Sequence, residues 1–333
     1  MKILLTGVAG FIGSHVAEGL LRRGHVVVGL DNFNDHYNPG LKWKNIELAS
    51  GFATFNLVEG DVGNIELLED LFGRHGFDSV IHLAAHAGVR SSFHLPEIYE
   101  RVNVGGSLNI LNAIVKHGKP NLVFASSSSV YGLRDCLPWN EDDEIGELKS
   151  PYAITKHKGE LLCKAFHQRD KLNITCLRFF TVYGPRQRPD MAISRFLRAI
   201  HTEQAITIFG DGSTRRDFTF VDDVVSGVML AAEHPFPFEI INIGGSMTIS
   251  LLELVQLLGK ITNKSPKIQY QPIEPGDLPF TWADTSKALS MLGYMSSTKP
   301  RHGLELQWRW FLENGGSTQL NLSEQEAMNR CLL

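Results

Sequence analysis

The sequence predicts an α/β protein built around a Rossmann-type, doubly wound parallel sheet, followed by a smaller C-terminal α/β domain. The first observation is that short, apolar, β-branched runs alternate with longer amphipathic stretches in the first half of the chain. Strands that are apolar throughout and are joined by helical crossovers are typical of a parallel sheet covered on both faces. The second observation is a glycine-rich loop directly after the first strand. The six predicted strands are 2–5, 26–30, 56–59, 79–83, 122–125 and 174–177.

Helical patterns separate these strands, and the regular alternation ends near residue 180. The predicted helices are 14–23, 65–74, 99–116 and 152–168. Proline and glycine turns then become frequent, although an apolar run at 239–243 could return to the main sheet. We therefore expect a main domain over 1–180 that is rejoined by about 217–245, a second domain over 181–313, and a flexible tail over 314–333.

Charge and cysteine spacing exclude several classes of protein. The 333 residues include 32 Lys and Arg and 36 Asp and Glu, and the net charge of −4 gives no electrostatic basis for binding nucleic acid. No apolar stretch reaches the roughly 20 residues of a membrane span. Four widely separated cysteines suit a reducing compartment, and His82 and His86 lack a third metal ligand. We expect a cytoplasmic protein without a metal or a membrane partner.

The glycine-rich loop after the first strand is predicted to hold a pyrophosphate. Gly7, Gly10 and Gly13 permit a tight turn and a close approach of the backbone to the anion. Phe11 and Ile12 belong to this loop, which opens the first helix, and the first amides and positive dipole end of that helix would point at the phosphates. Glycine loops also form plain turns, so the prediction depends on the position of this one between a strand and a helix.

An acid at the end of the second strand indicates which dinucleotide this loop would take. Asp31 lies 18 residues after Gly13, where a carboxylate can accept hydrogen bonds from the adenosine ribose and would repel a 2′-phosphate. This favours NAD over NADP; the alternative is a solvated acid. Further cofactor-binding residues are predicted near the carboxyl ends of the strands, where an open α/β sheet binds its ligand. They are Asn32, Asp61, Val62, Leu83, Ala84 and Ala85.

A tyrosine and a lysine four residues apart form the candidate catalytic pair. Tyr152 and Lys156 share one face of a predicted helix that has Ser150 as its N-cap and Pro151 as its first residue. The ammonium group, together with a positive nicotinamide, would stabilise the tyrosinate and lower the pKa of Tyr152. A serine run that includes Ser127 follows the fifth strand and would face the same cleft. Each pattern also occurs by chance, so their combination carries the prediction.

Four stretches give the chain a resemblance to the extended short-chain dehydrogenase/reductases that act on nucleotide sugars, over about residues 1 to 313. Within that family the chain is most similar to the UDP-glucuronate 4-epimerases. The matching stretches are GLDNFND at 29–35, HLAA and AGVR at 82–85 and 87–90, SSSSVYG at 126–132, and RFFTVYGP and RPDM at 178–185 and 188–191.

The resemblance implies an NAD-dependent 4-epimerase of UDP-sugars. It assigns Tyr152 as the base for the sugar 4-OH, Lys156 as its partner, and Ser127 as the hydroxyl bonded to the reacting oxygen. Hydride would leave C4 for NAD and return to the other face of the rotated 4-keto sugar, so NAD is regenerated in each turnover. The resemblance also implies that 1–180 binds NAD, that 181–313 binds the nucleotide sugar, and that the helices at 99–116 and 152–168 form a homodimer.

Two serines separate epimerisation from related reactions of the family. Sugar 4,6-dehydratases carry Asp and Glu at the positions of Ser128 and Ser129, and UDP-glucuronate decarboxylases carry Glu at the position of Ser129. This chain has neither acid, and epimerisation needs none. Thr181 stands where UDP-galactose 4-epimerases usually have Asn. Ser128 and Thr181 would hold the uronate carboxylate out of the alignment that favours loss of CO₂.

Two arginines complete the predicted substrate site. Arg216 matches the family arginine that binds the UDP diphosphate, and Arg188 is a second candidate, for phosphate binding or for loop movement. The resemblance therefore implies interconversion of UDP-glucuronate and UDP-galacturonate. The main alternative is UDP-glucose/UDP-galactose 4-epimerisation. UDP-glucuronate decarboxylation and a non-catalytic nucleotide-sensing protein are the lesser alternatives.

Overall fold

The protein folds around a central parallel sheet with helices on both faces. The computed structural model describes residues 1–134, 136–245, 247–272 and 278–315. The strands in these residues are β1 (Lys2–Thr6), β2 (Val26–Asp31), β3 (Phe55–Glu59), β4 (Ser79–His82), β5 (Asn121–Ser127), β6 (Ile174–Phe179), β7 (Thr181–Tyr183), β8 (Ala205–Phe209), β9 (Arg215–Phe220), β10 (Phe238–Ile243), β11 (Thr248–Ser250) and β12 (Lys267–Gln271). The helices are α1 (Phe11–Arg22), α2 (Pro39–Ser50), α3 (Ile65–Arg74), α4 (Val89–His94), α5 (Pro96–Tyr99), α6 (Gly106–Lys116), α7 (Pro151–Asp170), α8 (Ala192–His201), α9 (Val221–Glu233), α10 (Leu251–Thr262), α11 (Ser286–Leu292) and α12 (Pro300–Glu313).

Seven strands form the central sheet in the order β10-β6-β5-β4-β1-β2-β3, and all neighbouring pairs are parallel. The chain winds outward from β1 in one direction to β3 and in the other direction to β6, so the switch point lies between β1 and β4. Open sheets of this kind bind ligands beyond the carboxyl ends of the strands at that point. The predicted doubly wound α/β fold is confirmed.

The second part of the chain forms two small sheets and returns one strand to the central sheet. Strands β7, β9 and β11 form one small sheet, and β8 pairs with β12 in the other. Strand β10 then pairs in parallel with β6, and α9 packs on α1. The connection after β6 therefore places the second part of the chain directly above the carboxyl ends of the central strands.

The differences from the predicted helices include an additional helix, α2, and a break in the helix predicted over 99–116. Helix α2 lies between β2 and β3, where no helix was predicted. The predicted helix over 99–116 is not uniform, because the π-helical segment Glu100–Gly105 separates α5 from α6. The chain is closely packed where the π-helical segment ends and α6 begins, since a Cβ at Gly106 would lie 2.6 Å from Cγ2 of Val62.

None of the helices in the described ranges is both long and apolar enough to cross a membrane. The predicted tail at 314–333 lies mostly outside the described residues, of which Gly315 is the last.

Candidate active site

One cavity of about 1170 Å³ lies beyond the carboxyl ends of the central strands. Pockets for a single small ligand usually measure about 300–1,000 Å³, so this cavity has the volume for a dinucleotide and a second ligand. All the residues predicted from the sequence to form the site line this cavity. They are Gly7, Gly10, Phe11, Ile12, Gly13, Asp31, Asn32, Asp61, Val62, Leu83, Ala84, Ala85, Ser127, Ser128, Tyr152, Lys156, Thr181, Arg188 and Arg216.

The turn from β1 into α1 leaves no space for side chains at Gly7 and Gly13. Gly7 has φ +72°, and a Cβ there would lie 2.8 Å from the backbone N of Ala84. A Cβ at Gly13 would lie 2.0 Å from the carbonyl O of Gly7. Helix α1 has no side-chain N-cap, so the amides of its first turn, which lack intrahelical acceptors, remain available to a ligand. This arrangement fits a pyrophosphate.

The Asp31 carboxylate is fixed by the backbone at the end of β2. Its Oδ2 accepts a hydrogen bond from the Ala9 amide at 3.0 Å, and its Oδ1 accepts one from the Phe33 amide at 2.9 Å. Each oxygen retains a lone pair with which it can accept from a ribose hydroxyl. Asn32, the next residue, donates to Oδ2 of Asp61 at 2.6 Å and so joins the ends of β2 and β3.

Lys42 is a buried residue of this cavity that sequence reasoning missed. Its Nζ donates to Oδ1 of Asn34 at 2.9 Å and lies 3.9 Å from Oδ1 of Asp31. The pKa of the Lys42 ammonium is lowered overall, because the effect of burial exceeds the opposite effect of the Asp31 carboxylate. No sequence signal pointed to Lys42, because α2, which carries it into the cavity, was not predicted.

Helix α7 brings the predicted catalytic pair against the end of β5. Ser150 caps the helix by accepting from the Ala153 amide at 3.1 Å, and Pro151 is its first residue, as predicted. Lys156 is buried and donates from Nζ to the Ala125 carbonyl at 2.8 Å. The lysine is thereby fixed to the strand that carries Ser127.

The hydroxyl of Ser127 is oriented by its neighbour. Its Oγ accepts hydrogen bonds from the Ser129 amide at 3.2 Å and from the Ser129 hydroxyl at 3.0 Å. Since both contacts use the lone pairs of Ser127, its own proton is available to donate. The two hydrogen bonds from Ser129 therefore leave the Ser127 hydroxyl free to donate its proton toward the cavity.

Burial sets the pKa values of Tyr152 and Lys156. The pKa of Tyr152 is raised by burial, while Ser127 and Arg188 act in the opposite direction. In the protein itself the loss of hydration of the buried phenol exceeds the effect of these two neighbours. The lowering by the Lys156 ammonium together with a positive nicotinamide stays a prediction. Burial lowers the pKa of Lys156 to about 8, so this ammonium group releases its proton more readily than that of an exposed lysine.

Arg188 reaches the cavity from the loop after β7. It forms a two-point contact with Asp190, at 3.0 Å from Nε and 2.8 Å from Nη2, and Nη2 also donates to the Ala87 carbonyl at 3.2 Å. The same carbonyl oxygen lies 3.1 Å from Nε2 of His36. These contacts hold the guanidinium near Tyr152. Arg216 lies on β9 and donates from Nη1 to the Arg215 carbonyl at 3.0 Å.

A buried ion pair lies behind the catalytic residues. Glu160 is one turn beyond Lys156 on α7 and accepts two hydrogen bonds from Arg178 of β6, at 2.9 and 2.8 Å. It also accepts from the Ser126 hydroxyl at 2.5 Å. The side chains of Glu160 and Arg178 are each only 3% exposed. The pair therefore fixes α7 to the two strands that end at the site.

Comparison with known proteins assigns the family. The model of the NAD dependent epimerase/dehydratase family matches residues 3–244. The chain is 40% identical over 312 residues to the UDP-glucuronate 4-epimerase of Thermodesulfobacterium geofontis, which covers 93% of this chain and 96% of the relative. It is 38% identical to the Bacillus cereus UDP-glucuronic acid 4-epimerase solved with UDP-glucuronic acid and NAD, with a TM-score of 0.90 over 94% of this chain and 100% of that one. The Thermotoga maritima UDP-glucose 4-epimerase solved with UDP-glucose is 32% identical, with a TM-score of 0.87 over 94% and 99% of the two chains. The chain therefore belongs to the NAD-dependent epimerase/dehydratase family.

Proposed function

We propose that the protein is an NAD-dependent 4-epimerase that interconverts UDP-glucuronate and UDP-galacturonate through a 4-keto intermediate. One observation carries the proposal: a single cavity brings the glycine loop and Asp31 together with Ser127, Tyr152 and Lys156. The similarity to two UDP-glucuronate 4-epimerases, over at least 93% of this chain, supports the same reaction.

The residues on the nucleotide side of the cavity fit NAD. The loop from Gly7 to Gly13 would hold the pyrophosphate at the start of α1, and Asp31 would hold the adenosine ribose. The other residues of this side would be Asn32, Asp61, Val62, Leu83, Ala84 and Ala85. When bound, NAD supplies a reversible acceptor for the hydride of sugar C4.

We expect the purified protein to carry NAD and not NADP. The Asp31 carboxylate is oriented by two backbone amides, and a 2′-phosphate beside it would suffer like-charge repulsion. The nearby Lys42 is already engaged with Asn34. Extraction of the cofactor followed by mass spectrometry measures the ratio, and a preparation that contains mainly NADP would contradict the role assigned to Asp31.

The catalytic residues divide the proton chemistry between them. Tyr152 would remove the proton from the 4-OH as C4 is oxidised and return it when C4 is reduced on the opposite face. Ser127, whose lone pairs accept from Ser129, would donate to the reacting oxygen. The Lys156 ammonium, held at 2.8 Å from the Ala125 carbonyl, would add positive charge that stabilises the phenolate.

A uronate substrate requires the site to control its carboxylate. The 4-keto intermediate is a β-keto acid, which loses CO₂ when the bond to the carboxylate aligns with the carbonyl π system. Ser128, Thr181 and Arg188 line the cavity and offer two hydroxyl donors and a guanidinium that could hold the carboxylate out of that alignment. The chain has serines at positions 128 and 129, so no carboxylate at those positions promotes dehydration or decarboxylation.

Replacing Thr181 with valine should increase the loss of CO₂ from the intermediate. The change keeps the shape of the side chain and removes one donor, worth about 0.5–1.5 kcal/mol or more with a charged acceptor. We expect slower epimerisation and a larger fraction of turnovers that end in a UDP-pentose. Chromatography of both products formed from UDP-glucuronate gives the ratio. An unchanged ratio of UDP-pentose to UDP-galacturonate would show that Thr181 does not hold the carboxylate.

UDP-glucose/UDP-galactose 4-epimerisation is the second candidate, favoured by the structural likeness to the Thermotoga maritima enzyme. Both reactions would use Tyr152 and the same cofactor, so the substrate carboxylate is the only difference. Turnover of UDP-glucose measured beside UDP-glucuronate decides between them. Preference for the neutral sugar would contradict the proposal, and absence of turnover with every UDP-sugar would favour a non-catalytic nucleotide-sensing protein.

The remaining proposals concern organisation. We assign 1–180 and about 217–245 to an NAD-binding domain and 181–313 to a domain that binds the nucleotide sugar, with Arg216 on the diphosphate. A homodimer through α6 and α7 would cover Leu108, Ile154 and Leu161, which are exposed on these helices. Light scattering of the purified protein measures whether its mass in solution is that of one chain or of two. The cytoplasmic location stays a prediction.

A further inference from the structure

A second cavity, of about 220 Å³, lies between α2, the loop after β7, α8 and α12. We propose that it binds a small oxyanion, with inorganic phosphate as the simplest example. The proposal concerns a site apart from the sugar and the dinucleotide, and it does not depend on the proposed reaction.

Positive charge dominates the lining of this small cavity. Four cationic side chains line it: Lys44, Arg186, Arg188 and Arg198. Glu47 is the one carboxylate among its described lining residues. Two of the cations also contact carboxylates outside the lining, since Arg186 pairs with Glu18 and Arg188 with Asp190. The lining itself carries four cations and one carboxylate, so it favours an anion.

The lining of the small cavity includes two groups for which the described residues offer no hydrogen-bond partner. They are Oη of Tyr37 and Nη1 of Arg186, and both residues line the cavity. Buried polar groups are almost always paired, with protein, water or an ion. A single oxyanion can accept from a phenol and a guanidinium at once, and guanidinium groups suit phosphate geometry.

The backbone at Arg186 is held in an unusual conformation. Its φ is 63°, in the left-handed region that residues other than glycine seldom adopt. Its Nη2 lies 2.6 Å from Oε1 of Glu18 on α1, and the buried Nη1 has no hydrogen-bond partner among the described residues. Backbone conformations of this kind are concentrated at ligand and active sites.

The small cavity shares a wall with the large one. Tyr37, Arg188 and Pro189 line both. The ring of Tyr37 lies 5.1 Å from Nζ of Lys42, on the cofactor side. An oxyanion bonded to Tyr37 and Arg186 would therefore connect the loop after β2 to the loop after β7, and we expect it to stabilise the folded protein.

Phosphate titration of the full-length protein with its cofactor tests the proposal. The melting temperature is measured against phosphate, with chloride replacing it at constant ionic strength and with saturating UDP to block the large cavity. We expect a saturable, phosphate-specific rise in melting temperature. Tyr37→Phe removes one donor oxygen and keeps the ring, so the apparent Kd for phosphate should rise about ten-fold. Arg186→Gln should remove the response.

Arg74→Gln is the matched control, because Arg74 is a cation of α3 that is not among the lining residues of either cavity. This variant should keep the phosphate response. The proposal is overturned if phosphate and chloride change the melting temperature equally. That result is expected if water molecules satisfy the two donors. The proposal is also overturned if Tyr37→Phe responds like the parent, or if Arg74→Gln or UDP abolishes the effect.

Discussion

Replacing Tyr152 with phenylalanine should lower the rate of 4-epimerisation by about 10²–10⁴-fold, the usual effect of losing a general acid or base. The substitution removes only the phenolic oxygen. The edge-to-face contact with the Tyr99 ring, 6.2 Å between centroids, would remain, so we expect the protein to retain its cofactor. The rate with UDP-glucuronate and the amount of cofactor per chain, measured on the same preparation, separate lost chemistry from lost binding.

Tyr99→Phe is the matched control for this experiment. Tyr99 is also a buried tyrosine, but its hydroxyl contacts the Ser91 hydroxyl at 2.6 Å and takes no part in the proposed chemistry. Its activity should stay within a few-fold of the parent. If Tyr152→Phe and Tyr99→Phe had similar activities, Tyr152 would not be the acid/base residue.

Replacing Arg178 with methionine should lower the free energy of unfolding by about 3–5 kcal/mol, because it leaves the Glu160 carboxylate buried and without its counter-charge. Arg178 also stacks on Tyr131, 4.6 Å from the ring centroid, and Tyr131 donates to Oδ1 of Asn242 on β10 at 2.7 Å. The loss of the guanidinium would therefore weaken contacts at three neighbouring strands, β5, β6 and β10. Urea unfolding, with the same excess of cofactor for every variant, measures the change.

Two further variants make that result specific. Arg74→Gln breaks a pair with Asp70 whose side chains are 72% and 43% exposed, so its effect should stay within about 0.5 kcal/mol. The double change Arg178→Met with Glu160→Leu removes both charges and should recover much of the lost stability. A loss below about 1 kcal/mol for Arg178→Met alone would mean that the pair does not fix α7 to the sheet.

The central sheet was predictable because its signals are local. The inner parallel strands β1, β4, β5 and β6 are almost entirely buried and appear in the sequence as apolar runs. Each turn that is predicted to hold the cofactor has its own glycine or acid. Helix α2 gives no such signal, because its buried face includes Lys42 and Asn45 as well as Ile46 and Ala49. Apolar periodicity therefore does not predict α2, because two of the residues on its buried face are polar.

The geometry of the site depended on contacts between distant residues. Arg188 takes its position partly from the Ala87 carbonyl, 101 residues earlier in the chain, and no spacing in the sequence reports that contact. The pKa of Tyr152 was likewise out of reach, since it follows from burial by several elements. The sequence motifs predicted which side chains line the cavity, whereas the orientation of these side chains could be learned only from the folded structure.

The late return of β10 to the central sheet has a consequence for how the chain can be made and divided. During synthesis β6 emerges first, and its outer edge stays open until Phe238–Ile243 follows. Ile174, Cys176 and Leu177 on β6 are fully buried in the finished protein, so a nascent chain of about 180 residues would expose an apolar strand edge that promotes aggregation. A recombinant fragment cut at the end of β6 would keep that open edge permanently. The first half of the chain is thus a poor unit for expression alone, and a stable truncation has to extend past β10.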